Sequence, residues 1–183
     1  MKKYFIAIKA PEKVQAELAP VVKKLRISAD RHELSVRWTP PELYHITIQF
    51  LGSQSAAELQ VITEKFRNFQ PGFKTVEIEL DGMSGFSEES HARVVFVKVR
   101  RTKELLSLQE QLEKLTGMLA EQEFVPHLTL ARLRNPTDIK DLISPFVRKD
   151  WGKWQANKLG LFSSEVQGPH VIHKLVAEIN LVQ

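Results

Sequence analysis

The 183-residue chain has no cysteine. Disulfides, thiolate catalysis and cysteine-ligated zinc are therefore excluded, and cysteine usage says nothing about redox compartment. No apolar stretch approaches the length of about 20 residues that a membrane-spanning helix needs. The N-terminal segment MKKYFIAIKAPEK starts like a secretion signal, but its apolar run from Tyr4 to Ile8 stops at Lys9. That is too short for the apolar core of such a signal, so the expected location is the cytoplasm. No linker or low-complexity tract interrupts the sequence. Excess charge is modest, +4 with a pI near 9.3. This favours an anionic partner but falls short of a surface built to coat nucleic acid.

What is present is an ordinary globular composition, 43% apolar and 26% charged. Residues 1–183 fit one domain of ordinary size or two small lobes that share a core; the weak internal symmetry, a long helix before each His-x-Thr strand and another helix after it, favours a single domain of two pseudo-symmetric lobes. Residues 3–9 read as a strand. Val14, Leu18, Val21 and Leu25 make the stripe of an amphipathic helix over 11–27, with Pro20 expected to kink or split it. Residues 28–34 read as a loop and Val36–Trp38 as a short strand. A capping box at Ser55 and Glu58 opens a helix whose face is Leu59, Ile62, Phe66 and Phe69. Alternation predicts a strand over 73–81, a loop from Gly82 to Ala92, and a strong strand from Arg93 to Val99. Leu105, Leu108, Leu112, Leu115 and Leu119 mark a helix over 103–119. Asn135-Pro136-Thr137-Asp138 reads as a helix start. The tail reads as two strands, near 154–163 and 171–181, joined by a Gly168-Pro169 turn.

Against this background two tetrapeptides stand out: His45-Ile46-Thr47-Ile48 and His127-Leu128-Thr129-Leu130. Strict alternation puts His and Thr on one face of a strand and the aliphatic pair on the other. Both follow proline, Pro40-Pro41 upstream of the first and Pro126 directly before the second. A chain with only six histidines that repeats such a pattern suggests two half-sites. Two imidazoles flanking one phosphorus can carry out general acid–base catalysis without a metal. One takes a proton from the attacking oxygen and the other supplies one to the leaving oxygen. The threonines can donate hydrogen bonds to the non-bridging oxygens. Arg93, Arg132 and Arg134 are candidate cations by proximity. Arg132 has the opposite strand parity to His127, so it reaches the same face only if the strand bulges or twists.

The segments RWTPPELYHITIQFLG and VPHLTLARLR resemble those of the two-histidine (2H) phosphoesterase superfamily, and within it the RNA 2′,3′-cyclic phosphodiesterases, also described as 2′–5′ RNA ligases. The resemblance extends over the opening FIAI strand, the Gly85-Phe86 loop before an Arg-Val-Val strand, and LGLFSSEVQGPH. It implies an α+β fold of two pseudo-symmetric lobes, with antiparallel sheets walling a central cleft and helices outside. It implies hydrolysis of a 2′,3′-cyclic phosphate to a 2′-phosphomonoester, with reversible 2′–5′ ligation open to the same groups. Carried over by motif, His45 is the proton donor, His127 the proton acceptor, and Thr47 and Thr129 hold the phosphate; Arg132 and Arg93 are candidate phosphate ligands by proximity in sequence, or solvating charges on their strands. The partners implied are RNA ends or nucleotides bearing a 2′,3′-cyclic phosphate. No cofactor, metal, membrane or protein partner is implied, and a monomer is expected. One departure is visible. Many relatives carry a tyrosine shortly after the late Gly-Pro, where this chain has His170-Val171-Ile172-His173.

The other readings are plainer. A module that binds RNA ends without turnover, or an enzyme acting on a different phosphodiester, would share the same motifs. His32, His91, His170 and His173 lack a partner motif and read as surface or satisfied residues. Trp38, Phe50 and Phe86 could stack on a base, although Phe50 shares the parity of Ile46 and Ile48, which favours the core.

Overall fold

The structure, a computed structural model, describes residues 2–120, 122–168 and 170–181. Strand β1 (Lys3–Lys9) leads into α1 (Glu12–Arg31), then β2 (Val36–Trp38) and β3 (His45–Gly52). Helix α2 (Ala56–Arg67) precedes β4 (Val76–Phe86) and β5 (Ala92–Val99), and α3 (Lys103–Thr116) precedes β6 (His127–Thr137). A short α4 (Lys140–Ile143) is followed by β7 (Asp150–Ala156), β8 (Lys158–Gln167) and β9 (His170–Asn180).

All the pairings are antiparallel, and they form one large sheet in the order β7-β4-β5-β6-β3-β1-β8-β9, with β2 added on β6. Its seam is the contact between the two motif strands, β3 and β6. Outward from that seam, β1, β8 and β9 lie on one side and β5, β4 and β7 on the other. The motif strands share a single ladder position, Ile46 opposite Leu128. Both residues are fully buried, as is Leu130, and Ile48 is nearly so. They belong to the same core as the stripes of α1 (Leu18, Leu25), α2 (Ile62, Phe66) and α3 (Leu105, Leu108, Leu112). The helices thus cover the face opposite to the His and Thr side chains. Burying each such aliphatic side chain stabilises the fold by about 1.5–3 kcal/mol, which fixes which face of each motif strand turns inward.

Several elements depart from the sequence expectations. Pro20 neither ends nor splits α1, which runs unbroken to Arg31 and so takes over part of the expected loop. Pro20 is exposed while Val14, Leu18, Val21, Val22 and Leu25 are buried, so continuous burial on the inner face offsets one lost backbone bond. Strand β4 continues through Gly82 to Phe86, where a loop was expected. The glycines there serve close approach: a Cβ on Gly85 would lie 2.7 Å from both Ala92 and Ile139, and one on Gly82 2.0 Å from the Val147 carbonyl oxygen. Strand β6 runs through Asn135 and Pro136, leaving only the short α4 after it. The expected strand over 154–163 is two strands, parted at Asn157. The Gly168-Pro169 turn rests partly on Pro169, which lies outside the described residues.

Candidate active site

The antiparallel register at Ile46 and Leu128 sets His45 opposite Thr129 and Thr47 opposite His127. Four polar side chains therefore form a square on one sheet face, with the two histidines on a diagonal. Diagonal neighbours of this kind have backbone positions roughly 7–8 Å apart. Among the described residues neither threonine hydroxyl has a protein hydrogen-bond partner, so both are free to donate to a ligand.

The two imidazoles are held alike. His45 Nδ1 lies 2.7 Å from the Leu43 carbonyl oxygen, and His127 Nδ1 lies 2.7 Å from that of Val125. A carbonyl only accepts, so Nδ1–H donates in each ring and Nε2 carries the lone pair. Each ring is also backed by aromatics. Phe5 lies 5.0 Å from His45 and stacks on Phe162; Phe96 lies 5.2 Å from His127 and stacks on Phe86, which itself meets His127 edge-on at 4.8 Å. Burial pushes the pKa of His45 from the usual 6.5 down to about 4. The charges of His173, His127 and Arg132 push the same way, and the Leu43 hydrogen bond opposes them. Burial also lowers His127, with Arg132 adding to it and the Val125 hydrogen bond opposing. Both shifts favour the neutral ring at pH 7.

Each motif strand bulges directly after its threonine. In β3, Thr47 and Gln49 face consecutive residues Ala7 and Ile6, so Ile48 is extra. In β6, Thr129 and Ala131 face Phe96 and Val95, so Leu130 is extra. The bulge reverses parity beyond it. It brings Arg132 onto the face of His127 and Thr129, as the sequence required for it to take part. Arg132 is itself held below the usual guanidinium range by burial and by Arg37, its partner across β2. On β3 the same device contradicts the core reading of Phe50, which is 60% exposed and lies 6.2 Å from Phe5. Gln49 takes the buried position and donates to Thr116 Oγ1 and the Met118 carbonyl.

Other expectations fall differently. Arg93 is exposed on β5, and among the described residues it makes no hydrogen bond or ion pair. Arg134 is likewise exposed. Trp38 lies under the Arg26 guanidinium, 5.5 Å from ring centre to Cζ. His32 and His91 are exposed, as expected, and the side chain of His170 lies outside the described set. His173 overturns its surface reading: it meets His45 edge-on at 5.1 Å and Phe5 at 5.0 Å. Sequence reasoning also missed Phe5, Phe96 and Arg37. None lies within a His-x-Thr tetrapeptide, and only strand pairing brings them to it. Among the described residues no three histidine or carboxylate side chains gather as a metal site, and no helix is long and apolar enough to cross a membrane.

Comparison with known proteins shows the family and the fold. Residues 11–168 match the family model of the 2′-5′ RNA ligase superfamily. The chain is 26% identical over 179 residues to the RNA 2′,3′-cyclic phosphodiesterase of Methanocaldococcus jannaschii, covering 95% of this chain and 98% of that one. A crystal structure from Thermus thermophilus superposes with a TM-score of 0.79 at 25% identity, covering 98% of this chain and 97% of that one. The fold is also that of E. coli LigT, solved in complex with 3′-AMP, with a TM-score of 0.73 at 19% identity and coverage of 100% and 99%.

Proposed function

The chain belongs to the 2′-5′ RNA ligase superfamily, and on that premise we propose that it is a phosphodiesterase opening the 2′,3′-cyclic phosphate of RNA ends or nucleosides to a 2′-phosphomonoester. Relatives matching nearly the whole chain carry the name RNA 2′,3′-cyclic phosphodiesterase. The observation that carries the reading is the matched pair of imidazoles, each with Nδ1 committed to a carbonyl and Nε2 free.

In this reaction His127 Nε2 takes a proton from water as the water oxygen bonds to phosphorus. His45, protonated once the phosphodiester anion is bound, gives its proton to O3′ as the P–O3′ bond breaks. The pair ends with its protons exchanged and is reset by solvent. Thr47 and Thr129 donate to the non-bridging oxygens, and the Arg132 guanidinium offsets the charge gathering there. The anion raises the pKa of both rings, which is what makes an imidazolium available from groups that are neutral when the cleft is empty. With a 5′-hydroxyl in place of water, the same two proton transfers join the cyclic phosphate end to it in a 2′–5′ linkage.

The test is incubation with a panel of 2′,3′-cyclic nucleotides in the presence of EDTA, followed by phosphorus NMR. Expected is complete conversion to the 2′-phosphate. No turnover on any member, or turnover that EDTA abolishes and a divalent cation restores, would overturn the reading.

A further inference from the structure

Beyond its bulge, β6 carries two exposed arginines on the catalytic face, Arg132 and Arg134. The neighbouring β2 adds a third. Strand β5 occupies one edge of β6, so β2 and β3 share the other edge, and β2 continues the line of β3. Arg37 pairs directly with Arg132. On either side of that pair, the Thr39 N–H donates to the Leu130 carbonyl and the Arg134 N–H to the Ser35 carbonyl. Residues opposite each other on a ladder share a face, so Arg37, Arg132 and Arg134 all project on the side of His127 and Thr129. Opposed residues such as Arg37 and Arg132 have Cβ atoms roughly 4.5–5.5 Å apart. Arg134 lies one pleat further along, roughly 7 Å.

Like charges set directly opposite on a ladder destabilise a sheet. Arginines elsewhere in the chain are neutralised: Arg100 meets Glu79 at 3.1 Å, and Arg101 is paired with Glu123. Among the described residues, the side chains of Arg37, Arg132 and Arg134 have neither a carboxylate nor a hydrogen-bond partner. Three guanidinium groups held this close, with no counter-charge from the protein, are stabilised when an anion enters. Their planar forks match the oxygens of a phosphate group. The reacting phosphorus needs only the nearest of them, Arg132. Arg134 lies two outward-facing positions from Thr129, and Arg37 stands on the neighbouring strand, so both are left for a second anion.

The rows of the site give a direction. His127 and Thr47 make one row, His45 and Thr129 the next, and Arg132 with Arg37 the one after. The cluster therefore lies beyond the row of the acid, away from the row of the base. Water attacks from the side of the base. O3′ departs toward the acid, still attached to the strand that bears the cyclic phosphate. Further phosphates of that strand therefore fall on the side of the cluster. We propose that Arg37 and Arg134 form a subsite for the phosphodiester next to the cyclic phosphate, so that an oligonucleotide end is preferred over a mononucleotide. The inference rests on the function proposed above and narrows its substrate class.

The test compares kcat/KM on three substrates. They are 2′,3′-cyclic AMP, an adenosine dinucleotide ending in a 2′,3′-cyclic phosphate, and the same dinucleotide with a neutral methylphosphonate linkage. The wild type should favour the phosphodiester dinucleotide over the mononucleotide about tenfold, the worth of one charge-assisted contact. The methylphosphonate should lose that advantage, because it adds a base and a sugar but no anion. Arg37→Met and Arg134→Met should each reduce the advantage to about threefold, and the double variant should abolish it. Reading each variant as a ratio between its own substrates cancels any effect of Arg37 on Arg132. A wild-type ratio near one, an equal advantage for the methylphosphonate, or an unchanged ratio in the double variant would overturn the proposal. If no substrate turns over, the enzymatic reading fails and the subsite is read by calorimetry with the 2′-phosphorylated dinucleotide and adenosine 2′-monophosphate. Tighter binding of the dinucleotide by the wild type, lost in the double variant, would support the subsite; equal affinities would overturn it.

Discussion

The halves of the sheet that meet at β3 and β6 present the same frame with different contents. Each offers a His-x-Thr strand, a carbonyl two residues before the histidine, aromatic backing for the ring, and a bulge directly after the threonine. At the first position that the bulge turns outward one half places Phe50 and the other Arg132. Beside the ring one half places His173 and the other Phe86. The shared features fix two imidazoles in one tautomer on one surface. The differences assign them unequal surroundings, a hydrogen-bonding flank for His45 and a strong cation beside His127.

Removing either imidazole should have the largest effect. His45→Ala and His127→Ala should each lower kcat on a 2′,3′-cyclic nucleotide by about 10²–10⁴-fold, measured beside a thermal melt showing an intact fold. Exchanging the contents of the two bulges should show the next asymmetry. Arg132→Met should cost roughly 10–100-fold in kcat/KM. This is less than the about 10²–10³-fold typical of an enclosed oxyanion donor, because the guanidinium stays partly solvated. Phe50→Ala, at the matching position, should change kcat less than about threefold, and Arg93→Ala should leave it unchanged. Thr47→Ala and Thr129→Ala should each cost about three- to tenfold, the worth of one hydrogen bond among several.

The smallest effect is on pH dependence. The free enzyme reacts with one imidazole protonated and the other neutral, so kcat/KM is bell-shaped. It falls at low pH as the base becomes protonated and at high pH as the acid loses its proton. Burial and Arg132 hold both rings below the usual 6.5, His45 near 4. The optimum of kcat/KM should therefore lie below pH 6.5, as a property of the coupled pair. Bound phosphodiester raises both values, so the optimum of kcat should lie at higher pH. Arg132→Met should move the kcat/KM bell toward alkali. An optimum at or above pH 7 for wild-type kcat/KM would contradict these electrostatics.

The central frame was legible because it is written as local pattern. Alternation in His45–Ile48 and His127–Leu130 gives faces, and Ser55 with Glu58 gives a capping box found as expected. What was not legible depends on partners distant in sequence. Phe5 and Phe96 reach the site from the strands paired directly with β3 and β6, and His173 from β9, three pairings away from β3, and no local period records that. Phe50 was misread because parity was carried across a bulge, which shows only once β1 is paired with β3. Gly82 and Gly85 look like loop residues in isolation. They remain in β4 because Val147, Ala92 and Ile139 approach the backbone there too closely for a side chain. Pro20 and Pro136 lie inside elements that tertiary contacts maintain.

The unequal duties of the two histidines can be tested by changing the leaving group. A p-nitrophenyl phosphodiester releases a phenolate that departs without a proton, so it needs the base and not the acid. The measurement is the ratio of wild-type to variant kcat on this ester and on a 2′,3′-cyclic nucleotide, for His45→Ala and His127→Ala. The expected result is that the His45→Ala loss shrinks to less than about tenfold on the ester while the His127→Ala loss persists on both substrates. Equal losses for both variants on both substrates, or recovery of His127→Ala in place of His45→Ala, would contradict the assignment of His45 as acid and His127 as base.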